Sequence, residues 1–495
     1  MAEGKWEPVS VIKLERGFTM KKMRKIFIRL GQVLFLLLPV ILGTIGFSRL
    51  NGGDIIGAAY TSCRLYGMDA DMPDQINGYV EAARWLAPFA TASGLLLLIE
   101  SLGKKFSNWI KQFNGNNIAV YGNSPTSKFF LENLGRRGIV PLDNQIVSAD
   151  KHVILFDTDQ ENIDFYTKNQ NLLEGKQIYI HLNEINQLSI KNPNLHIFSM
   201  TEIAARLFWR EEPIPFSKIE KGVYRILIIG FSDLGQEILK YGLLNNIFAP
   251  DQQIEYHIFG ETYHFFDLHR QLDQMVPDTI IVHDNSPYEE EKLISLADRI
   301  VFCDEDRQNL MVAGNILAYY NLKPDVELFA SIYDKDVLQL IGTEETIKPF
   351  AAMENLCTRD YILNEKLNQD AIHTHELYNA NTANPEWKVE WRDLSAFLRY
   401  SNISSADFNE VRRRYLDYYG DKMEHDKLVA VLTELEHIRW CRYHYMNNWV
   451  LGKEKDKQLH THPCLIPFEE LSQEEKDKDQ VIVEEFIQMY TNTDV

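Results

Sequence analysis

Hydrophobic positions along the chain fall into three regimes. The first is apolar runs near the N-terminus. Leu30–Phe47 is uncharged and contains Phe35-Leu36-Leu37-Leu38-Pro39-Val40-Ile41-Leu42. With Ile26–Arg29 before it, the run is long enough to cross a bilayer. A signal peptide is the alternative; the run has the basic flank but no small-x-small cleavage site after it. A second stretch, Ala82–Leu102, carries Trp85-Leu86-Ala87 and Leu95–Ile99 around Pro88, with Arg84 and Glu100 bracketing its centre. It predicts a second span, with a buried amphipathic helix as the alternative.

The second regime, from Asn117 to about residue 332, alternates short apolar runs with helical patterns. Expected strands are Asn117–Gly122, His152–Asp157, Gln177–His181 and Leu195–Phe198, then Tyr224–Gly230, Glu255–Glu261, Thr279–Val282, Arg299–Phe302 and Val326–Ala330. Strands separated by helices predict two parallel α/β units. In the third regime, from about 336, the alternation stops and helical spacing takes over. Leu428, Val431, Leu432, Leu435 and Ile438 form one helical stripe.

Charge orients the N-terminal part. Lys21, Lys22, Arg24 and Lys25 precede the first run, and Lys104, Lys105 and Lys111 follow the second. Asp54, Asp69, Asp71, Asp74 and Glu81 lie between them. The positive-inside rule then places both termini in the cytoplasm and the short loop outside. Within that loop Ile55–Cys63 has the length of a re-entrant or pore-lining helix, without the Gly-Tyr-Gly filter of potassium channels. Either Met1 or Met20 could be the start.

Length and composition bound the rest. A chain of 495 residues is too long for one core. Its 45% hydrophobic and 25% charged content is that of globular protein. A net charge of −20 argues against nucleic acid as a partner. The five cysteines are scattered without a CxxC pair, so neither a disulfide framework nor a zinc site is expected. No Ser-His-Asp spacing, metal quartet or intact nucleotide fingerprint is present, and no enzyme is expected.

Candidate chemistry falls in two places. The second α/β unit opens with Gly230-Phe231-Ser232-Asp233-Leu234-Gly235. Gly230 and Gly235 match the outer glycines of a dinucleotide loop, with Ser232 in place of the middle one. Glu261 ends the next strand, where a ribose-binding acid would sit. The unit either binds a nucleotide or is a scaffold that sets dimer geometry. In the first unit only Gly122 of the fingerprint is present. These units after two spans resemble the NAD-binding/RCK regulatory domains of bacterial potassium transport proteins over roughly residues 115–332, including the helix Phe198–Leu207.

The second place lies near the C-terminus. Glu436, Arg439 and Trp440 project from neighbouring positions of one helix, and Trp449 follows its end. Two tryptophans can sandwich a base, Arg439 can pair bidentately with a phosphate, and Glu436 can accept from an amine or a ribose hydroxyl. Equally, the tryptophans can be core and Glu436–Arg439 a surface ion pair. Arg412-Arg413-Arg414 reads as a solvated helix face, with a phosphate clamp as the alternative.

Glu436-His437-Ile438-Arg439-Trp440, Asn448-Trp449 with Gly452, and His462–Leu471 resemble the Ry domain of ryanodine receptors, in its bacterial form fused to RCK-like units. Many relatives carry Gly where this chain has Asn448. His375-Glu376 with Tyr378, and Arg399–Asp407, are similar to segments around the same module. The resemblance implies a small helical recognition domain that senses a nucleotide-derived signal. Its candidate contacts are Glu436, Arg439, Trp440, Trp449 and His462, with Arg399 and Asn402 in the connector.

The expected fold class is multi-domain: two transmembrane α-helices, two Rossmann-like (RCK-like) α/β domains and a C-terminal all-α Ry-like domain. The expected boundaries are 1–25, 26–112, 113–215, 220–335, a helical connector at 336–424, and 425–495. The expected function is an oligomeric effector or channel-like protein of the bacterial inner membrane, a tetramer in contact with the lipid bilayer. A small cytosolic nucleotide ligand (NAD-derived, ATP or a cyclic nucleotide) gates it, as in an anti-phage defence effector. The alternative is a housekeeping ion channel or transport regulator gated by NAD(H) or ATP.

Overall fold

The structure, a computed structural model, describes residues 34–67, 69, 75–93, 117–183, 192, 194–220, 222–262, 264–333, 346–381 and 388–493. The chain divides into two compact units, Met1–Phe113 and Asn114–Val495.

The N-terminal unit holds a helix over 34–50, the helix Ile55–Arg64 and a helix over 78–93. Asp54 caps the middle one by accepting from the Gly57 N–H at 3.1 Å. Small residues bring the helices together: a Cβ on Gly46 would lie 2.6 Å from Val80 Cγ2, and one on Gly43 2.6 Å from Ser62 Oγ. Phe47, Ala58, Leu65, Val80, Ala83 and Ala87 form the shared core.

Among the described residues the expected pair of membrane spans does not form. Among the described residues no helix is long and apolar enough to cross a membrane. The described 34–50 helix extends about 25 Å, short of the ~30 Å hydrocarbon layer. The 78–93 helix carries Glu81 and Arg84 inside its length. Leu30–Gln32 with Val33, the run Leu95–Ile99 and the basic clusters on either side lie outside the described residues.

The second unit is built on two wholly parallel sheets. The first contains β1 Ile118–Tyr121, β2 Gly138–Ile139, β3 Lys151–Ile154, β4 Gln177–His181 and β5 Leu195–Phe198, in the order β2-β1-β3-β4-β5. The second contains β6 Tyr224–Ile229, β7 Ile254–Phe259, β8 Thr279–His283, β9 Arg299–Phe302, β10 Glu327–Ser331 and β11 Ile347–Phe350, in the order β11-β10-β9-β6-β7-β8. Counted within its own sheet, the second order is 3-2-1-4-5-6, the doubly wound arrangement of Rossmann-like domains. β2 and β11 are additions to the expected strands, as is the short pair Val450–Leu451 with Thr461–His462, which lies in the C-terminal segment expected to be all helical. β2 has two residues, and β11 contains Pro349, a residue confined to sheet edges, which is where β11 lies.

The longer helices among the described residues of this unit are α1 Pro125–Leu134, α2 Asp159–Leu173, α3 Met200–Glu211, α4 Asp233–Asn245, α5 Asp306–Tyr319, α6 Gln369–Asn381, α7 Ala396–Tyr419, α8 His425–Met446 and α9 Gln473–Thr493. One apolar core runs from β1 through α3 and α4 to α7, α8 and α9. α3 packs closely on α4 because Gly242 leaves room for Trp209: a Cβ there would sit 2.9 Å from the indole. The Trp209 N–H donates to the Ile238 carbonyl at 2.9 Å, which locks the pair. α8 then lies against α4, α7 and α9.

Candidate functional site

α8 presents its expected apolar stripe: Leu428, Leu432 and Leu435 are buried. Its polar residues are buried as well, because partners cover the helix on several sides. Glu436, His437, Arg439, Arg442 and His444 are all under 5% exposed. Each needs an internal partner, since burying an unpaired charge is far costlier than burying a paired one.

Glu436 and Arg439 find each other in the core. The Arg439 guanidinium donates to both Glu436 oxygens, at 2.9 and 2.7 Å, and to Ser404 Oγ at 3.0 Å. Arg412 of α7 pairs with the same carboxylate. Burial pushes the Glu436 carboxyl up, but the two guanidiniums hold it below its usual range. The expected i,i+3 pair is thus present, inside the protein rather than on its surface. The three consecutive arginines split three ways. Arg412 is buried in this network, Arg413 pairs on the surface with Glu410 and Asp417, and Arg414 donates to the Ile214 carbonyl at 2.8 Å. Only Arg413 matches the solvated face expected of all three.

A second ionic link ties α8 to α9. His437 Nδ1 lies 3.4 Å from Asp479, and Nε2 donates to the Ile466 carbonyl at 2.9 Å. Burial works against its charge, but Asp479 together with Cys441 and Ile466 raises its pKa to about 10. His444 and His462 go the other way. Burial, with Lys455 adding repulsion, lowers them to about 3 and about 4. His444 is therefore neutral, with Nδ1–H donating to the Trp440 carbonyl at 2.9 Å.

Trp449 belongs to the wall, not to an open sandwich. It is 4% exposed, with Phe397 stacked on it at 5.3 Å and His460 at 5.3 Å and 5°. Asn448 before it has φ +61°, a left-handed conformation that glycine adopts most readily. Its side chain adds what glycine cannot: it donates to the Leu268 carbonyl at 2.6 Å and accepts from the Arg270 N–H at 2.7 Å. Trp440 is half-buried, with His444 at 3.8 Å and His462 edge-on at 4.8 Å.

A cavity of about 510 Å³ opens between α4, the start of α7, the end of α8 and the segment after it. Trp440, Trp449, Phe397, Tyr241, Tyr400, Tyr443, His444 and His460 supply its aromatic lining. Lys240, Lys455 and Lys457 supply its charge, and no aspartate or glutamate lines it. Lys240 is buried and held by Glu237 at 2.9 and 3.0 Å. Of the sequence candidates, Trp440 and Trp449 line this cavity; Glu436, Arg439 and His462 do not. Arg399 donates to the Leu394 carbonyl at 3.2 Å and lines a separate cavity of about 150 Å³, while Asn402 donates back to the Leu398 carbonyl. Sequence reasoning missed Lys240, Phe397, His444, Lys455, Lys457 and His460. The repeated lysines after Gly452 were the available signal, and a charged run ordinarily marks solvated chain.

The glycine loop of the second sheet is built tightly. A Cβ on Gly235 would lie 2.3 Å from the Gly230 carbonyl oxygen, and one on Gly230, at φ +91°, 2.6 Å from the Asp304 carboxyl carbon. Ser232 donates to the Cys303 carbonyl at 3.4 Å, Phe231 is buried between Phe265 and Phe266, and Glu261 is exposed. Asp304 sets a carboxyl against the Gly230 turn, and such charge repels an anion. In the first sheet a Cβ on Gly122 would strike the Leu155 carbonyl oxygen at 2.1 Å, and Asn144 accepts from the Gly122 N–H at 3.1 Å.

No curated protein and no solved structure matches the chain. The two α/β sheets are Rossmann-like by topology. The C-terminal module, from just after α7 through α8 and the Trp449 turn to α9, matches the RyR domain family over residues 422–495.

Proposed function

We propose that the chain is a receptor whose cavity between α4, α7 and α8 binds a small anion carrying a flat ring, of the nucleotide class. The composition of the cavity carries the reading. Three lysines and eight aromatic rings line it with no carboxylate, in a chain of net charge −20. A pocket of this volume is of ligand size. The exposed Lys455 and Lys457 attract phosphate, and Trp440 offers a face for a base, a contact of about 1–3 kcal/mol. Lys240 engages a ligand only by sharing itself with Glu237. The output is a change in subunit packing, which needs unequal affinity for two states.

Titration with ADP-ribose, ATP, NAD and a cyclic dinucleotide, followed by tryptophan fluorescence and calorimetry, tests this. The expected result is saturable binding by at least one probe, weakened at least about tenfold by Lys455→Glu with Lys457→Glu. Binding that ignores both lysines and Trp440→Ala, or no binding at all, sinks the reading.

A further inference from the structure

We infer that occupancy of the cavity is read by the first α/β unit through Glu202, on which the hydroxyls of Tyr241 and Tyr400 converge. The inference rests on the receptor reading above and concerns where that signal goes.

Tyr241 on α4 and Tyr400 on α7 both line the aromatic cavity. Their hydroxyls leave it and donate to opposite oxygens of one carboxylate. Tyr241 reaches Glu202 Oε1 at 3.1 Å, and Tyr400 reaches Oε2 at 3.0 Å. Glu202 sits in the first turn of α3, directly after β5 of the first sheet, and is 8% exposed. Burial and the carboxylate keep both phenols protonated, so both remain donors.

Glu202 is in turn the near end of a buried network. Arg206 Nη1 lies 3.7 Å from Glu202 Oε1. The same guanidinium grips Asp407 of α7 bidentately at 2.8 and 2.9 Å, and holds Asn368 Oδ1 and the Leu367 carbonyl, each at 2.7 Å. A shift of either tyrosine therefore alters the contacts of a carboxylate that the first α/β unit, α4 and α7 share.

The wall has room to shift. Tyr400, Ala396 and Ile403 line the 510 Å³ cavity on one side and the 150 Å³ cavity on the other. Glu202 and Arg206 line the smaller one. A close-packed core offers a side chain one position; a partition between two cavities offers two. A ring seated against Tyr400 favours one of them, and the buried carboxylate must follow its donor or lose it.

Hydrogen–deuterium exchange on the full chain, with and without whichever of ADP-ribose or ATP alters the tryptophan fluorescence, tests the inference. In the wild type, exchange should slow in Trp440–Trp449 and change in Met200–Glu211 as well. In Glu202→Gln the first effect should persist and the second disappear, with affinity moved at least about fivefold by reciprocity. Saturable protection at Trp440–Trp449 with Met200–Glu211 unmoved in the wild type overturns the coupling and leaves the receptor reading standing. Failure of every probe to protect Trp440–Trp449 removes both. Should Glu202→Gln not fold, Tyr400→Phe, which keeps the ring and drops only the hydroxyl, gives the same comparison.

Discussion

Arg442 of α8 donates to Asp278, in the turn before β8, at 2.7 Å, with the two side chains 2% and 0% exposed. Asp278 also accepts from the Ile254 N–H and the Gln252 amide, each at 2.9 Å, and Arg442 reaches the Leu243 carbonyl at 3.1 Å. The RyR module is thereby keyed into the second sheet by a buried charge pair. Arg442→Met leaves Asp278 buried and uncompensated, which should cost about 3–5 kcal/mol in urea unfolding. The double variant with Asp278→Asn should lose clearly less than the sum of the singles. Simple additivity would show that the pair is not a unit.

Glu436→Gln strands two buried guanidiniums, Arg412 and Arg439. A loss of about 3–5 kcal/mol is expected. Glu436 does not line the cavity, so the folded fraction should bind the nucleotide probe with unchanged affinity. A stable variant with lost binding would return Glu436 to the ligand.

The histidines predict a two-sided pH dependence. His437 has a folded pKa raised to about 10 from an ordinary 6.5. Its contribution is complete below about pH 6.5 and drains away as pH rises toward 10. His444 and His462, lowered to about 3 and about 4, contribute above about pH 6.5 and lose that contribution as pH falls toward those values. The melting temperature should fall on both sides of neutrality. Asp479→Asn should flatten the alkaline limb alone; an unchanged alkaline limb would count against the His437–Asp479 pair.

Trp449→Ala removes a ring enclosed by Phe397, His444 and His460, with an expected cost of about 3–5 kcal/mol. Half-buried Trp440 should cost well under that when truncated. Equal losses in thermal unfolding would contradict the different placements of the two indoles.

Gly235→Ala should destabilise the β6–α4 turn by about 1–3 kcal/mol through its clash with the Gly230 carbonyl. Because the cause is backbone contact, the loss should be the same with and without ATP. A loss that appears only in ligand affinity would instead place a phosphate at this loop.

Nine strands were legible in the sequence because short apolar runs between helices are a local signal. β11 escaped because Pro349 contradicts a central strand and fits only an edge. The RyR module was legible through its spaced Glu436–Trp440, Trp449 and His462–Pro463. Asn448 departs from that pattern, yet keeps the left-handed turn and adds a bond to Leu268. The apolar runs at the N-terminus suggested two spans, but hydropathy alone does not distinguish apolar residues facing lipid from those facing each other. Phe47, Val80 and Ala87 share one core, while Leu34, Leu37, Ile41, Trp85 and Phe89 stay exposed.

What the sequence determined by itself is what periodicity and turn chemistry encode locally: two parallel α/β units, a largely helical C-terminus and the RyR-like module within it. Only the tertiary structure decided which polar residues of α8 are buried in ion pairs and which line the cavity. A helical stripe identifies one buried face, and says nothing of α7, α4 and α9 covering the others, so Glu436 and Arg439 turned out to be core ions. The cavity itself joins Lys240, Phe397, Trp440 and Lys455, drawn from three distant stretches of chain. No local pattern links them, because their proximity is produced by the packing of α8 into the groove between α4 and α7.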